Sequence, residues 1–464
     1  MAHLTHWRHN LKSRLACHPI VEKVLSPETV ERCCRESAYR WRKSFWSPSV
    51  TVITFLLQVL SAEKTLRAGV ASLLTQLAAG GAEDLPSPDA SAYCQARIRL
   101  PATVIERLNR RLADRMRDLV DRETGWLQRR VWVVDGSSVS MPDTPELQEA
   151  FPQPKAQSPG CGFPVAQLVA LFCWTTGALI DTVIDSLKPH EVTLLRRWYD
   201  RFAPGDVVLA DRAYSGWVDM VRLWQRGVFC VVRLHQRRRA DFRKGKRLGP
   251  DDQLVDLPQP AQWFESVGIS RAAFDQLPDW LTVRQVRIKD TPRGFRSRTL
   301  IVVTTLLDPV EVSADDIRAL YRDRWMAELN LRSLKVSLDM GVLRGQSLDV
   351  VLKEIAVHLL AYNLIRLLMW HAAREHGVDL HRLSFAGTLH RFRRVLPTRM
   401  ILSSHQATRS VRLTAQLLRW IAEDTIPHRP DRFEPRRGKR RPKQYSRLVK
   451  PRQWYHLHGD PDAR

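Results

Sequence analysis

Two aspartates each follow a short apolar run, and their type and position suit metal chemistry. Asp135 follows VWVV, and Asp211 follows DVVLA. Taken singly, Asp135 with Gly136 is typical of a hairpin turn, and Asp211 is typical of a helix N-cap. As a pair they favour a site, because acids at the carboxyl ends of strands can converge on one edge of an α/β sheet, where ligands and metals commonly bind.

A third acid, Glu328, lies among residues that bind phosphate. Within YRDRWMAELNLRSLK, the residues Tyr321, Arg324, Glu328 and Lys335 fall at offsets 0, 3, 7 and 14. On one regular helix, at roughly 100° per residue, they form a stripe less than about 60° wide. A solvated helix face with routine Glu–Lys or Glu–Arg pairs is the alternative. The stripe places one carboxylate among three groups that can hold phosphate oxygens.

A sheet and helices must position these acids. Three predicted strands are followed by helix, strand, helix and strand, which indicates an α/β layer with a mixed sheet. The predicted strands are residues 130–134, 165–173, 179–186, 206–210 and 228–234, and the predicted helices are 190–202 and 217–226.

Composition divides the rest of the chain. Residues 1–120 are predicted to be helical, and 121–375 form the α/β region with a β-rich insertion at about 235–309 that opens with the basic run Arg237–Arg247. Residues 376–428 are predicted to be helical. The tail, 429–464, is basic and contains prolines. Its segment Arg429–Arg452 has eleven Lys and Arg against two acids, which is typical of a loop or disordered arm on a phosphate backbone.

The charge points to nucleic acid. There are 73 Lys and Arg against 49 Asp and Glu, a net charge of +24, and such a surplus favours a polyanionic partner. Seven scattered cysteines without a C-x-x-C pair argue against a disulfide framework and a zinc ribbon. With no signal peptide and no long apolar run, we expect a cytoplasmic protein, associated with the nucleoid when bound to DNA, and no membrane partner. P-loop, G-x-S-x-G and H-E-x-x-H motifs are absent from the sequence.

The spacing Tyr321-x2-Arg324-x3-Glu328-x6-Lys335 resembles the Y-R-E-K signature of the insertion-sequence-four family of DDE transposases. Asp135 in a D-G-S context, Asp211 in D-R-x-Y, and the segments Ser158–Phe163 and Leu343–Arg366 are similar to family members as well. The resemblance extends from about residue 10 to 452.

The resemblance implies an RNase H-like catalytic domain, a β-rich insertion before the last acidic helix and a helical N-terminal DNA-binding domain. It implies that Asp135, Asp211 and Glu328 are the catalytic, metal-binding acids, and that Tyr321, Arg324 and Lys335 grip DNA ends. Some members stack a flipped base on a tryptophan in the insertion strand before that helix. Here the comparable residues 299–304 contain none, although Trp263 and Trp280 lie upstream.

The chemistry agrees with this assignment. Two Mg²⁺ ions about 3.5–4 Å apart can activate water and stabilise the leaving oxygen of a phosphodiester. Hard cations prefer oxygen ligands, so three carboxylates suffice, and Mn²⁺ should substitute. The expected partners are double-stranded DNA of the terminal inverted repeats and of the target, bound by a dimer that holds two ends.

Two alternatives remain at this stage. One is a catalytically inactive DNA-binding protein derived from a transposase, against which the intact acid trio argues. The other is an RNase H-like nuclease that cuts DNA without joining it.

Overall fold

The computed structural model describes residues 24–79, 81–82, 85–120, 125–290, 298–401, 407–427 and 448–458. Its centre is a sheet whose nine strands are β1 (Val131–Ser140), β2 (Val165–Cys173), β3 (Leu179–Asp185), β4 (Val207–Ala210), β5 (Phe229–Arg233), β6 (Lys246–Gly249), β7 (Asp252–Pro258), β8 (Trp280–Asp290) and β9 (Arg298–Thr304). They are ordered β3-β2-β1-β4-β5-β9-β8-β7-β6.

The first five strands form the predicted mixed sheet. β1 pairs antiparallel with β2, which pairs antiparallel with β3, whereas β1–β4 and β4–β5 are parallel. Each predicted strand is present, but β1 is longer than predicted and continues through Asp135 to Ser140. The arrangement is consistent with an RNase H-like fold.

The stretch 235–309 supplies four more strands to the same sheet. β9 pairs antiparallel with β5, and β8, β7 and β6 follow outward. Arg284 of β8 is fully buried and donates to both carboxylate oxygens of Asp252 at 2.8 and 2.5 Å and to the carbonyl oxygen of Val312 at 2.6 Å. This buried ion pair ties the outer strands to the segment that leads into the acidic helix.

Helices cover both faces of the sheet. The described α-helices are α1 (Pro27–Glu36), α2 (Pro48–Leu60), α3 (Leu66–Ala79), α4 (Ser91–Arg99), α5 (Ala102–Asp118), α6 (Pro145–Ala150), α7 (Glu191–Leu195), α8 (Trp217–Trp224), α9 (Arg271–Asp275), α10 (Ala314–Asp323), α11 (Trp325–Arg332), α12 (Leu348–His376), α13 (Phe385–Ile401), α14 (Ala407–Glu423) and α15 (Arg452–His458). Short 3-10 turns include Arg196–Arg201 and Arg212–Tyr214.

Alternate residues of β1 enter two different cores. Val131 and Val133 pack in the core that contains α2, α5 and α12, whereas Trp132 and Val134 pack in the core that contains α8 and the 3-10 turn Arg196–Arg201. Because both faces are covered, the strand is apolar on both sides. Asp135, its first polar residue and the first that is not fully buried, is therefore a candidate for a site.

The N-terminal helices are part of the same packed body. α12 is buried along most of its 29 residues and packs against α2 and α5. It also fixes the sheet: Asn363 bonds to both backbone groups of Leu179, and Tyr362 donates to the carbonyl oxygen of Gly177, whose φ of +63° suits glycine. The described part of the predicted region 1–120, which begins at residue 24, thus shares a core with the central sheet, and its role in DNA binding stays a prediction.

The helical run that carries the third acid is not one regular helix, as the stripe assumed. α10 ends at Asp323 and α11 begins at Trp325, and at the junction the amide of Arg324 donates to the carbonyl oxygen of Tyr321. After α11 the chain forms a π turn, Ser333–Ser337, closed by a bond from the Leu338 amide to the Ser333 carbonyl oxygen. A tightened turn and a widened turn each change the rotation per residue, so the simple stripe calculation does not hold.

A short helix, α15, begins at Arg452, the last residue of the segment predicted as loop or disorder, and the described residues 448–451 before it are neither helix nor strand. Arg452, at the start of α15, forms an ion pair with Asp143 at 2.6 Å, donates to the carbonyl oxygen of Gly162 at 3.1 Å and lies over the ring of Phe163. Residues 429–447 lie outside the described residues. Within the described ranges, no helix is both long and apolar enough to cross a bilayer.

Candidate active site

Asp135 and Asp211 lie side by side on neighbouring parallel strands. Val133 of β1 is the register partner of Leu209 of β4, and each aspartate lies two residues beyond this pair. Because side chains alternate along a strand, both aspartates are directed to the face that the pair occupies. The hairpin alternative for Asp135 is wrong, since β1 continues past it.

Asp211 directly follows β4 and precedes the 3-10 turn Arg212–Tyr214. Its side chain makes no capping hydrogen bond there, so the N-cap alternative does not explain the residue. The carboxylate is half-buried and open to another partner.

Glu328 approaches the two aspartates from α11. Its Oε1 accepts a hydrogen bond from Nη2 of Arg324 at 2.8 Å, and its side chain is 38% exposed. Arg324 also interacts electrostatically with both Asp135 and Asp211. One guanidinium therefore supplies positive charge to all three acids.

Burial makes Asp135 the most perturbed acid of this trio. Removal from water raises its pKa from 3.8 to about 6, against the opposing effects of the Gly136 amide, which donates at 2.9 Å, and of Arg324. The negative charges of Glu328 and Glu191 raise it further. A carboxylate held in this way gains from a bound cation, because the cation offsets both the burial and the neighbouring charge.

Tyr321 lies beside the acids, and Lys335 lies on the turn after the helix that carries Glu328. Tyr321 is buried at the end of α10, its ring lies 6.0 Å from the Arg324 guanidinium, and burial raises its pKa to about 12. Its neighbours include Asp211. Lys335 is half-buried and lies in the π turn that follows the helix of Glu328. The structure thus brings Tyr321 and Arg324 to the acids, and it places Lys335 on the adjoining turn.

Glu191 is a neighbour of this site that the sequence did not single out. It begins α7, and its carboxylate lies against Gly136, where the Cβ of any other residue would overlap it. The hydroxyl of Tyr214 donates to Glu191 Oε2 at 3.3 Å. The glycine directly after Asp135 was a signal of a close approach, although nothing in the sequence named its partner.

The donor set suits a hard divalent cation. Among the described residues, no three Asp, Glu, His or Cys side chains are close enough to chelate one ion as they stand. The acids nevertheless interact: Glu328 acts on Asp135, and Arg324 connects Glu328 with Asp211. Carboxylate oxygens are the ligands that Mg²⁺ and Mn²⁺ prefer, so the residues fit such an ion once substrate phosphates and water complete its shell.

Contacts from elsewhere hold the acidic helices in place. Trp174, directly after β2, donates from Nε1 to Asp323 at 3.3 Å. Ser313 and Asp316 form a capping box at the start of α10. Lys64, before α3, donates to the carbonyl oxygen of Leu338 after the π turn.

Comparisons with known proteins identify the family. A family model described as the transposase DDE domain matches residues 126–364, just over half of the chain. The transposase InsG for insertion sequence element IS4 of Escherichia coli (strain K12) is 25% identical over 427 residues, which cover 91% of this chain and 92% of that protein. A cryo-EM structure of the piggyBac transposase synaptic complex with hairpin DNA aligns with 89% of this chain and 84% of that chain, with 10% identity and a TM-score of 0.43.

The matched residues include every strand and both helices around the acids. They confirm the resemblance to the insertion-sequence-four transposases. This protein therefore belongs to the DDE transposase family: it is a DNA transposase, an enzyme that cuts and joins DNA with divalent metal ions.

Proposed function

We propose that this transposase binds the terminal inverted repeats of its own insertion sequence, cleaves the DNA there and transfers the 3′-OH ends to target DNA. The observation that carries the proposal is the shared register of Asp135 and Asp211, with Glu328 beside them. Three oxygen-donating acids at one edge of an α/β sheet suit in-line displacement at phosphorus.

In this proposal Asp135, Asp211 and Glu328 hold Mg²⁺, for which Mn²⁺ can substitute. Bound there, the ions activate the attacking oxygen and neutralise charge at the leaving oxygen. Arg324 is close enough to the acids to donate to phosphate oxygens beside the cut bond, as guanidinium groups do in pairs of hydrogen bonds. Tyr321 and Lys335 position the end of the DNA strand on either side of Arg324.

The surface charge supports a long DNA footprint. A net charge of +24 favours DNA along much of the protein. We assign sequence recognition to the helical region 1–120 and backbone contacts to the basic stretch Arg237–Arg247 within the insertion and to the tail. Arg452 anchors the far end of that tail to the loop that contains Gly162.

We also propose a dimer on DNA. Excision of an element needs both of its ends held together while four strand ends are processed, and a two-fold dimer presents two equal sites. We expect the complex to act on the nucleoid, in the cytoplasm.

The test is a strand-transfer reaction. The purified full chain is incubated with Mg²⁺ and a plasmid that carries the element's own flanking DNA, and products are mapped at single-nucleotide resolution. Breaks at the element boundaries together with joined products support the proposal. Breaks without joining would make the protein a nuclease, and boundary binding without breaks would make it an inactive DNA-binding descendant.

A further inference from the structure

Glu191 is an acid that the DDE trio does not include, yet it lies at the same edge of the sheet. Its carboxylate contacts the backbone of β1 at Gly136, the residue after Asp135, and the absent Cβ makes room for it. It is close enough to Asp135 for its charge to act on that carboxyl group.

Tyr214 links Glu191 to the second aspartate. It lies three residues after Asp211, is only 3% exposed and donates its hydroxyl to Glu191 Oε2 at 3.3 Å. Burial and the charges of Glu191, Asp135 and Asp211 raise its pKa. One buried hydroxyl group therefore has three carboxylates around it.

Ion pairs do not neutralise all of these acids in the part of the chain that the structure describes. There, no Lys, Arg or His forms an ion pair with Asp135, Asp211 or Glu191, although Glu328 pairs with Arg324. The charge of Arg324 also acts on Asp135 and Asp211, so one guanidinium faces several carboxylates. Carboxylates that outnumber the nearby positive charges gain from a cation supplied from outside the chain.

Solvent and DNA can reach Glu191. It lines an open cleft together with Ser137 and Ser138 of β1, Gln167 of β2 and His235 after β5. Ser137 and Ser138 follow Asp135 on β1, so the cleft that contains Glu191 adjoins this aspartate along the strand.

We propose that Glu191 is a fourth carboxylate of the metal centre, which shares a divalent ion with Asp135. The proposal rests on the proposed roles of the three DDE acids. Among the described residues, Glu191 accepts a hydrogen bond from Tyr214 at Oε2, and its Oε1 lies against Gly136, the residue that follows Asp135.

A structural role is the competing explanation, and it makes a different prediction. If Glu191 serves only to accept the Tyr214 hydrogen bond, Glu191→Gln keeps that bond and Tyr214→Phe removes it. If Glu191 holds an ion, the loss of its charge is what matters, and Tyr214→Phe has the smaller effect.

The experiment measures binding of Mn²⁺ alone to the full-length protein, by calorimetry and by electron paramagnetic resonance of free Mn²⁺. We expect Glu191→Gln to weaken binding of one ion by about tenfold or more. The matched control is Glu149→Gln, the same change on the exposed surface of α6, which should leave binding unchanged. Melting temperatures without metal verify that each variant is folded.

Asp135→Asn distinguishes a failure of the proposed role of Glu191 from a failure of the metal centre formed by the three DDE acids. If it abolishes Mn²⁺ binding while Glu191→Gln binds like the wild type, the trio stands and the role of Glu191 is wrong. If neither change affects binding, or the wild type binds no Mn²⁺, the metal centre itself is wrong. Gly136→Ala, whose methyl group displaces the Glu191 carboxylate, should reproduce the loss with Glu191 intact.

Discussion

Asp135 and Asp211 occupy equivalent positions on two parallel strands, each two residues beyond the paired residues Val133 and Leu209. Neighbouring parallel strands lie about 4.8 Å apart, so two side chains in the same register and on the same face can reach a common ion. The relationship depends on β1 continuing as a strand through Asp135, which keeps its direction fixed.

The first prediction concerns how much the ionised side chain of Asp135 destabilises the folded protein. Because the folded protein raises its pKa from 3.8 to about 6, the folded state binds the proton more tightly than the unfolded state, and stability falls as pH rises through that window. At pH 7.5 the ionised carboxylate costs on the order of 3 kcal/mol. Asp135→Asn should therefore raise the melting temperature without metal.

The same experiment includes Mg²⁺. An ion that binds only the folded protein stabilises it, so added Mg²⁺ should raise the melting temperature of the wild type and leave Asp135→Asn unchanged. A variant that melts lower than the wild type and responds equally to Mg²⁺ would show that Asp135 has a structural role instead.

The sequence predicted the first five strands because these depend on local order, whereas the roles of the three acids stay a prediction. Apolar β-branched runs mark β2 and β4, and an acid directly after such a run lies near the sheet edge. Spacing also predicted that Arg324 and Glu328 meet, because residues four apart on a helix are neighbours. The match of the family model confirmed the assignment of the chain to the transposases.

Other features depend on packing between distant segments. Glu191 reaches the site only because Gly136, 55 positions earlier in the chain (191 − 136), lacks a Cβ. The break at Arg324 has ordinary helical dihedral angles, φ −50° and ψ −32°, so composition gave no sign of it. The contact between Arg452 and Asp143 joins the tail to the beginning of the α/β region, and no local pattern records such a pair.

The second prediction concerns the buried pair of Arg284 and Asp252. Arg284→Ala leaves Asp252 buried without its partner, and removal of one partner from such a pair typically costs about 3–5 kcal/mol. Chemical denaturation should show this loss in the free energy of unfolding. Arg243→Ala is the control, because Arg243 pairs with Asp241 on the surface, and it should have little effect. Equal effects of the two changes would contradict the role of Arg284.

The third prediction concerns the loss of stability at acidic pH. Burial, and then the charge of Lys64, lower the pKa of His358 from 6.5 to about 3. The unfolded chain therefore binds the proton first, and stability is lost as pH falls from about 6.5 toward 3. At pH 5 the loss due to His358 is about 2 kcal/mol. His358→Gln should show a weaker fall in the free energy of unfolding between pH 7 and pH 5, and an identical fall would contradict the prediction.

The fourth prediction concerns the tail. Deleting 429–464 should weaken DNA affinity and flatten its dependence on salt, since each lost phosphate contact reduces the log–log slope by roughly 0.9 on duplex DNA. The deletion also removes Arg452 and its ion pair with Asp143. A second variant therefore replaces the Lys and Arg of 429–447 with Gln and keeps 448–458. An unchanged slope in this variant would mean that the tail does not contact the DNA backbone.

The most direct test of the central claim is Glu328→Gln in the plasmid reaction with Mg²⁺, beside the wild type and the exposed control Glu423→Gln. Among the described residues, Glu423 pairs with Arg419 on the surface of α14. The account predicts that Glu328→Gln still binds the element ends but makes no breaks, whereas the wild type and the control cut at the boundaries and join the ends. Wild-type levels of cleavage by Glu328→Gln would remove Glu328 from the metal site and contradict the account.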